Sequence, residues 1–192
     1  RGLLKADLFP VNPKYPTILG QKCHPSLRDI PQDIETLVVV IPADGVPRVI
    51  EEAASKNAKS AIVISSGFRE VGNIELDDRL VKAGRETGIR IVGPNCLGIY
   101  DPYSGMDTLF LPEVKMLSSG REVVATPRPL PGHISLISQS GGFGVAALDY
   151  MAGSMMGVRT FVSLGNRCDV AEHELLDYFR QAEKTRVVLL YV

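Results

Sequence analysis

"TLVVVIPADGVPRVIEEAASKNAKSAIVISSGF", residues 36–68, contains the repeating element of the fold. It opens on a β-branched run, Thr36–Ala43, short and apolar throughout, the pattern of a strand covered on both faces. Residues 46–57 then place Val46, Val49, Ile50, Ala53 and Ala54 at the spacing of one helix face. "SAIVISSGF" is a second strand with small residues at its exit. Strand, helix and strand in this order make a parallel β/α unit with a right-handed crossover.

The same rhythm extends in both directions. Upstream, "LFPVNP" reads as a short strand ending in a proline-containing turn. Downstream, Ile74, Leu76, Leu80, Val81 and Ala83 give helical spacing over Ile74–Thr87, and "IRIVGPNC" is the next strand. Residues 101–131 break the pattern: five prolines and two glycines leave no clean helical face, so an extended connection is expected, with a hairpin around Ser118–Gly120. The pattern then restarts with strand "HISLIS", a helix from about Gly142 to Ala152, strand "VRTFVSLG", a helix over 171–182 and strand "TRVVLLYV".

The expected fold class is therefore α/β, with two doubly wound parallel-sheet domains: residues 1–117, a linker at 118–131, and residues 132–192. Both domains read as incomplete. A doubly wound domain normally opens with a central strand and a glycine-rich turn. Here "RGLLKAD" is at most a helix tail, and Val192 closes a strand just formed. The expectation is a fragment, or a chain completed by other segments.

Composition narrows the function. A formal charge of −1 with no Lys/Arg cluster longer than a pair argues against a dedicated nucleic-acid surface, while leaving room for a small anion pocket. The longest apolar run, Leu37–Ile41, is far too short to span a membrane, and no signal-peptide pattern opens the sequence. Cys23, Cys96 and Cys168 are widely spaced and odd in number, which favours reduced thiols in a cytoplasmic setting.

Open α/β sheets bind ligands beyond the carboxyl ends of their strands, so the strand exits are the places to look. At the first exit, Asn12, Pro13 and Lys14 stand where a nicotinamide-dinucleotide enzyme places a ribose-binding carboxylate. An ammonium there favours a nucleotide bearing an extra phosphate, such as coenzyme A or NADP, although a proline-stabilised turn with a solvated lysine accounts for it too. Further exits are Ile41-Pro42, Ser65-Ser66-Gly67, and "GPNCLG", which carries Asn95 and Cys96 between two glycines. Each alone is ordinary turn chemistry. Four in succession point to one shared edge.

"LISQSGGFGVAALDY", residues 136–150, has the strongest signal. The first N–H groups of its helix are free of intrahelical partners and carry the positive end of the dipole. Ser138 and Ser140 add hydroxyls, and Gly141 and Gly142 allow close approach, which together describe a phosphate or carboxylate cradle. A P-loop is excluded, since no Gly-Lys-Ser/Thr follows. "SLGNRCD" (163–169) offers a second wall. His24, His133 and His173 are scattered without metal-ligand spacing, and no metal site is expected.

The succession "PVNPKY…CHPSLRDIP…VVVIPA…ISSGF…IRIVGPNCLGIYDP…PGHISLISQSGGFG…FVSLGN" resembles the NDP-forming acyl-CoA synthetases, specifically the α part of ADP-forming acetyl-CoA synthetase and the related succinyl-CoA synthetase α subunit. The resemblance implies a Rossmann-type CoA-binding domain, with Asn12, Pro13 and Lys14 on the CoA phosphates, Ile41 and Pro42 bordering the adenine, Ser65, Ser66 and Gly67 along the pantetheine, and Asn95 and Cys96 where the thiol meets the acyl group. It implies a flavodoxin-like second domain holding phosphate on Ser138, Ser140, Gly141 and Gly142. The implied reaction converts acyl-CoA and phosphate to acyl phosphate, then phosphohistidine, then NTP from NDP, reversibly. An ATP-grasp β subunit or domain would hold nucleotide and Mg2+, with CoA and a small carboxylic acid as the other ligands and an oligomer as the assembly. The family's phosphorylated histidine and the glutamate that orients it fall beyond Val192, and none of the three histidines matches, so this chain alone is expected to be inactive. Rival readings are a CoA-binding regulatory or lysine-acetyltransferase-associated module, and an NADP-linked Rossmann oxidoreductase. The acyl group stays open among acetate, larger aliphatic and aromatic acids.

Overall fold

The computed structural model describes Leu4 and residues 6–192, so most of the expected helix tail "RGLLKAD" lies outside the described residues. The first parallel sheet is built from β3 (Thr36–Val39), β4 (Ser60–Val63) and β5 (Arg90–Val92), in that order, with Leu37 opposite Ala61 and Ala61 opposite Ile91. Helices α1 (Val46–Ala54) and α2 (Ile74–Thr87) make the crossovers. Pro47 opens α1, where the missing N–H costs no helical bond, and Gly88 closes α2 in the left-handed region at φ 72°.

Both helices pack on one face of this sheet. Val46, Ile50 and Ala53 of α1 and Leu80 and Ala83 of α2 meet Leu37, Val39, Ala61, Val63 and Ile91 in one buried cluster. The expectation that the Thr36–Ala43 run is covered on both faces is not met: burial alternates, and Val38 and Val40 on the other face are 45% and 63% exposed. Among the described residues, neither helix crosses to that side.

"LFPVNP" departs from its reading in a second way. Prolines at 10 and 13 remove two backbone donors, and the segment turns away from the parallel sheet. Val11 bridges to His24, with the Asn12 N–H donating to the His24 carbonyl at 2.9 Å and the His24 N–H donating to the Pro10 carbonyl at 2.8 Å. A small hairpin, β1 (Thr17–Ile18) and β2 (Gln21–Lys22), lies between them.

The second sheet has the order β12-β10-β11-β6-β7, from β10 (Pro131–Ser138), β11 (Val158–Ser163), β12 (Val187–Tyr191), β6 (Ile99–Asp101) and β7 (Met106–Asp107). β10, β11 and β12 are parallel, whereas β6 and β7 add antiparallel edges. Residues 99–107, expected within the first domain, thus hydrogen-bond into the second sheet. Helix α3 (Gly141–Gly153) packs Leu148 and Met151 on Leu136 and Phe161, while α4 (Glu172–Gln181) packs Phe179 on Ile137 and Val162. Those partners alternate along β10, so α3 and α4 cover opposite faces, and the chain passes from one side of β10 to the other between β11 and β12.

The proline-rich connection carries the hairpin expected around Ser118–Gly120, with β8 (Val114–Met116) against β9 (Glu122–Val124). Arg128, 9% exposed at its side chain, fastens this connection to the sheet edge. Its guanidinium donates to Asp107 at 2.7 Å, to the Thr126 carbonyl at 2.7 Å and to the Leu111 carbonyl at 2.9 Å. Among the described residues, no helix is long and apolar enough to cross a membrane.

Gly144 sets how closely α3 approaches β11: a Cβ there would lie 2.6 Å from Phe161 Cζ. Gly144→Val is expected to lower stability by about 1–3 kcal/mol through overpacking, seen as a lower urea midpoint. Gly153→Ala, whose Cβ would meet nothing within 4 Å, should leave the midpoint unchanged or raised.

Candidate functional site

The strand exits of the two sheets open on one cleft of about 890 Å³. From the first sheet, Ile41, Pro42, Ser65, Ser66, Asn95 and Cys96 line it; from the second, Gln139, Ser140, Gly141 and Gly142. The β10–α3 turn lies at the carboxyl end of β10, where the strand order reverses, the usual ligand position in such a sheet. The lining is without Lys, Arg, Asp, Glu or His among the described residues. An anion entering it would meet backbone dipoles.

In the β10–α3 turn each polar group has a distinct task. The Ser140 hydroxyl caps α3 by accepting the Phe143 N–H at 3.3 Å. Ser138 is fully buried, and its hydroxyl donates to the Ser140 carbonyl at 2.7 Å, so it braces the turn from beneath and lies outside the cleft lining. Gly141 and Gly142 begin the helix, where N–H groups have no intrahelical acceptor. Packing does not demand glycine at either position. A Cβ on Gly141 would meet Leu97 Cβ at an ordinary 3.7 Å, and one on Gly142 would meet Ser140 Oγ at 3.9 Å. Neither has a positive φ. What glycine preserves is open approach to the N–H groups.

On the facing side, the Ser65 hydroxyl is committed to the scaffold: it accepts the Ile41 N–H at 3.1 Å and ties the exits of β3 and β4 together. Ser66 is exposed to the cleft. Gly67 lies outside the lining, with its N–H donating to the Glu70 carboxylate at 2.5 Å. Burial pushes that carboxyl up, but hydrogen bonds from the Gly67 N–H and the Asn166 amide outweigh it and hold Glu70 below its ordinary value. Asn12, Pro13 and Lys14 also lie outside the lining, in a turn where the Lys14 N–H donates to the Asn12 side chain at 2.9 Å.

Cys96 is buried, donating to the Val63 carbonyl at 3.3 Å. Burial pushes its thiol up to about 12, against weaker help from backbone N–H groups. It is a wall residue and a poor nucleophile. "SLGNRCD" lines none of the cleft; it grips the β5 exit from the side, with Asn166 N–H on the Pro94 carbonyl at 2.8 Å and Cys168 N–H on the Gly93 carbonyl at 2.9 Å. Among the described residues no group of three His, Cys, Asp or Glu could hold a metal ion.

The sequence reading missed part of this site. Gln139 stood inside the quoted motif but was not singled out; its amide donates to the Gly165 carbonyl at 3.2 Å. Leu97, Phe110, Leu111 and Val145 complete an apolar side of the cleft. Phe110 and Leu111 come from the connection that breaks the β/α rhythm, where no periodicity marks them.

A family model described as CoA binding domain matches residues 3–102, and one described as Succinyl-CoA ligase like flavodoxin domain matches residues 131–192. An ADP-forming acetate–CoA ligase of Methanocaldococcus jannaschii is 39% identical over 185 residues, covering 96% of this chain and 24% of that protein. The α subunit of ADP-forming acetate–CoA ligase I of Pyrococcus furiosus is 34% identical over 194 residues, covering 98% and 39%. The solved structure of Ca. Korarchaeum cryptofilum dinucleotide forming acetyl-coenzyme A synthetase 1, in complex with phosphate and ADP, superposes with a TM-score of 0.87 at 33% identity, covering 98% of this chain and 38% of that one. The chain thus spans from about a quarter to about two-fifths of the length of these relatives.

Because burial leaves almost no thiolate at Cys96 near pH 8, and Cys168 is likewise pushed up to about 12, iodoacetamide should label neither in the folded chain and both after denaturation. Peptide mapping checks this; rapid native labelling of Cys96 would contradict the wall assignment.

Proposed function

The chain belongs to the CoA-binding domain family, and on that footing we propose that its cleft is the CoA- and phosphate-handling part of an NDP-forming acyl-CoA synthetase. The observation that carries the reading is the shared cleft: exits of a CoA-binding domain and an anion-accepting helix start line the same 890 Å³. CoA would lie along the first sheet, with Asn12, Pro13 and Lys14 at its phosphates, Ile41 and Pro42 at its adenine, and Ser65, Ser66 and Gly67 along the pantetheine. Asn95 and Cys96 would border the thiol. Lys14 is exposed and lies outside the lining, and among the described residues its ammonium is free to meet a phosphate.

Phosphate would sit on the N–H groups of Gly141 and Gly142, with Ser140 capping the helix and Ser138 bracing the turn. Phosphate oxygen then attacks the thioester carbonyl, the C–S bond breaks, and the departing sulfur takes a proton, giving acyl phosphate and CoA. Backbone N–H groups fixed by the fold stabilise the charge on the phosphoryl group without reorganising. Phosphoryl transfer onward, through a histidine beyond Val192 to NDP, is assigned to further segments and to a partner ATP-grasp β subunit or domain that holds nucleotide and Mg2+. A small carboxylic acid is the remaining substrate, and the setting is cytoplasmic.

Calorimetric titration tests this directly. Wild type should bind CoA and not NADP, and inorganic phosphate should raise its melting temperature. Gly141→Val, which fills the approach to the cradle, should keep CoA binding and lose the phosphate effect. Tighter binding of NADP than CoA would point to the oxidoreductase instead, and an undiminished phosphate effect in the variant would remove the cradle's role.

A further inference from the structure

We infer that Phe110 sets the length of acyl group the cleft accepts. This inference rests on the functional reading above and extends it to the substrate's side chain. With a phosphoryl group at Gly141 and Gly142, the acyl carbon of an acyl phosphate is one bridging oxygen away, and the thiol must approach it from the Asn95–Cys96 side. Val40 and Ile64 adjoin the Ile41 and Ser65 positions given to CoA, so the acyl chain is left with the apolar wall beside the cradle, formed by Leu97, Phe110, Leu111 and Val145. That wall is continuous with the cradle: Leu97 Cβ lies 3.7 Å from where a Gly141 Cβ would be, and Val145 follows Gly141 by one helical turn on the same face.

Within this wall Phe110 is the side chain not already used by the core. Leu97, Leu111 and Val145 all belong to, or pack against, the buried cluster under α3. Phe110 is 56% exposed and borders the cleft. Its backbone is nevertheless held. The Phe110 N–H donates to the Leu97 carbonyl at 3.4 Å, and the next carbonyl, of Leu111, accepts from the buried Arg128 guanidinium at 2.9 Å. A large apolar ring on a fixed rail is a stop, and stops of this kind discriminate chain lengths by excluded volume. The lack of ionisable side chains other than the neutral Cys96 thiol along the described lining adds a second restriction, because a charged acyl tail would be desolvated without a counter-ion. The substrate class is an uncharged acyl group short enough to end at the Phe110 ring.

The test uses calorimetry on wild type, Phe110→Ala and Phe110→Trp, with CoA, acetyl-CoA and phenylacetyl-CoA as probes. CoA affinity should be the same in all three. The ratio of the phenylacetyl-CoA Kd to the acetyl-CoA Kd should fall about tenfold in Phe110→Ala and rise in Phe110→Trp, which retains an aromatic ring and decides the matter if the alanine variant is unstable. An unchanged ratio with intact CoA binding would overturn the role of Phe110 alone. Failure of wild type to bind CoA would overturn the reading beneath it, and this inference with it.

Discussion

Everything in the cleft depends on how Leu164–Val170 docks on the exit of β5. The N–H groups of Asn166, Cys168 and Val170 donate to the carbonyls of Pro94, Gly93 and Ile91 at 2.8, 2.9 and 3.1 Å, extending the first sheet's edge with a segment from the second. The Asp169 carboxylate accepts the Ile91 N–H at 2.7 Å and pairs with Arg90, which also reaches Glu174 at 2.6 Å. These two acids hold the Arg90 guanidinium above its already high ordinary value. Arg90 is half exposed, so the ion pairs contribute little beside the backbone bonds, each worth about 0.5–1.5 kcal/mol net. Close approach is what the glycines permit. A Cβ on Gly165 would fall 2.3 Å from the Pro94 carbonyl oxygen, and one on Gly93 would fall 2.4 Å from that of Val63.

That docking explains why the cleft is lined by amides and small side chains. With the segment that follows β11 held against the β5 edge of the first sheet, the exits of both sheets face a common space, and the Ile91, Gly93 and Pro94 carbonyls at the junction are already engaged. What remains directed into the opening is a helix start, the small residues of strand tips and an apolar wall that includes Phe110. On the proposed reading such a surface would hold anions by fixed dipoles, and it leaves the apolar wall at Leu97, Leu111 and Val145 free of competing charge. The phosphate, thioester and uncharged acyl chain of the proposed reaction would have needs complementary to this packing.

The sequence made some of this legible and hid the rest for physical reasons. Helix α2 was bounded correctly because its apolar spacing and the following Gly88 are local signals. The start of α3 was legible because helix starts depend on adjacent residues, here Ser140 as the cap and Gly141 and Gly142 after it. Strands β6 and β7 were not, since two or three residues carry no period, and β6, which β7 pairs with, joins the sheet through β11, over fifty residues downstream. The exposure of Val38 was equally hidden, because a β-branched run looks the same with helices on one face or two. Ser138 shows the finer limit: composition gives a hydroxyl, but only the turn geometry shows that it donates inward. Glu70 and Asn166 join the two halves through a hydrogen bond that no local pattern marks.

A single cleft that serves both sheets at once is the central claim. Amide hydrogen exchange, recorded on the chain alone, with CoA, and with CoA plus phosphate, reads that property residue by residue. It predicts that CoA slows exchange at 41–43, 65–67 and 95–97, and that phosphate adds protection at 141–143 while CoA remains bound. Protection confined to one sheet, or phosphate protection that disappears when CoA binds, would contradict it.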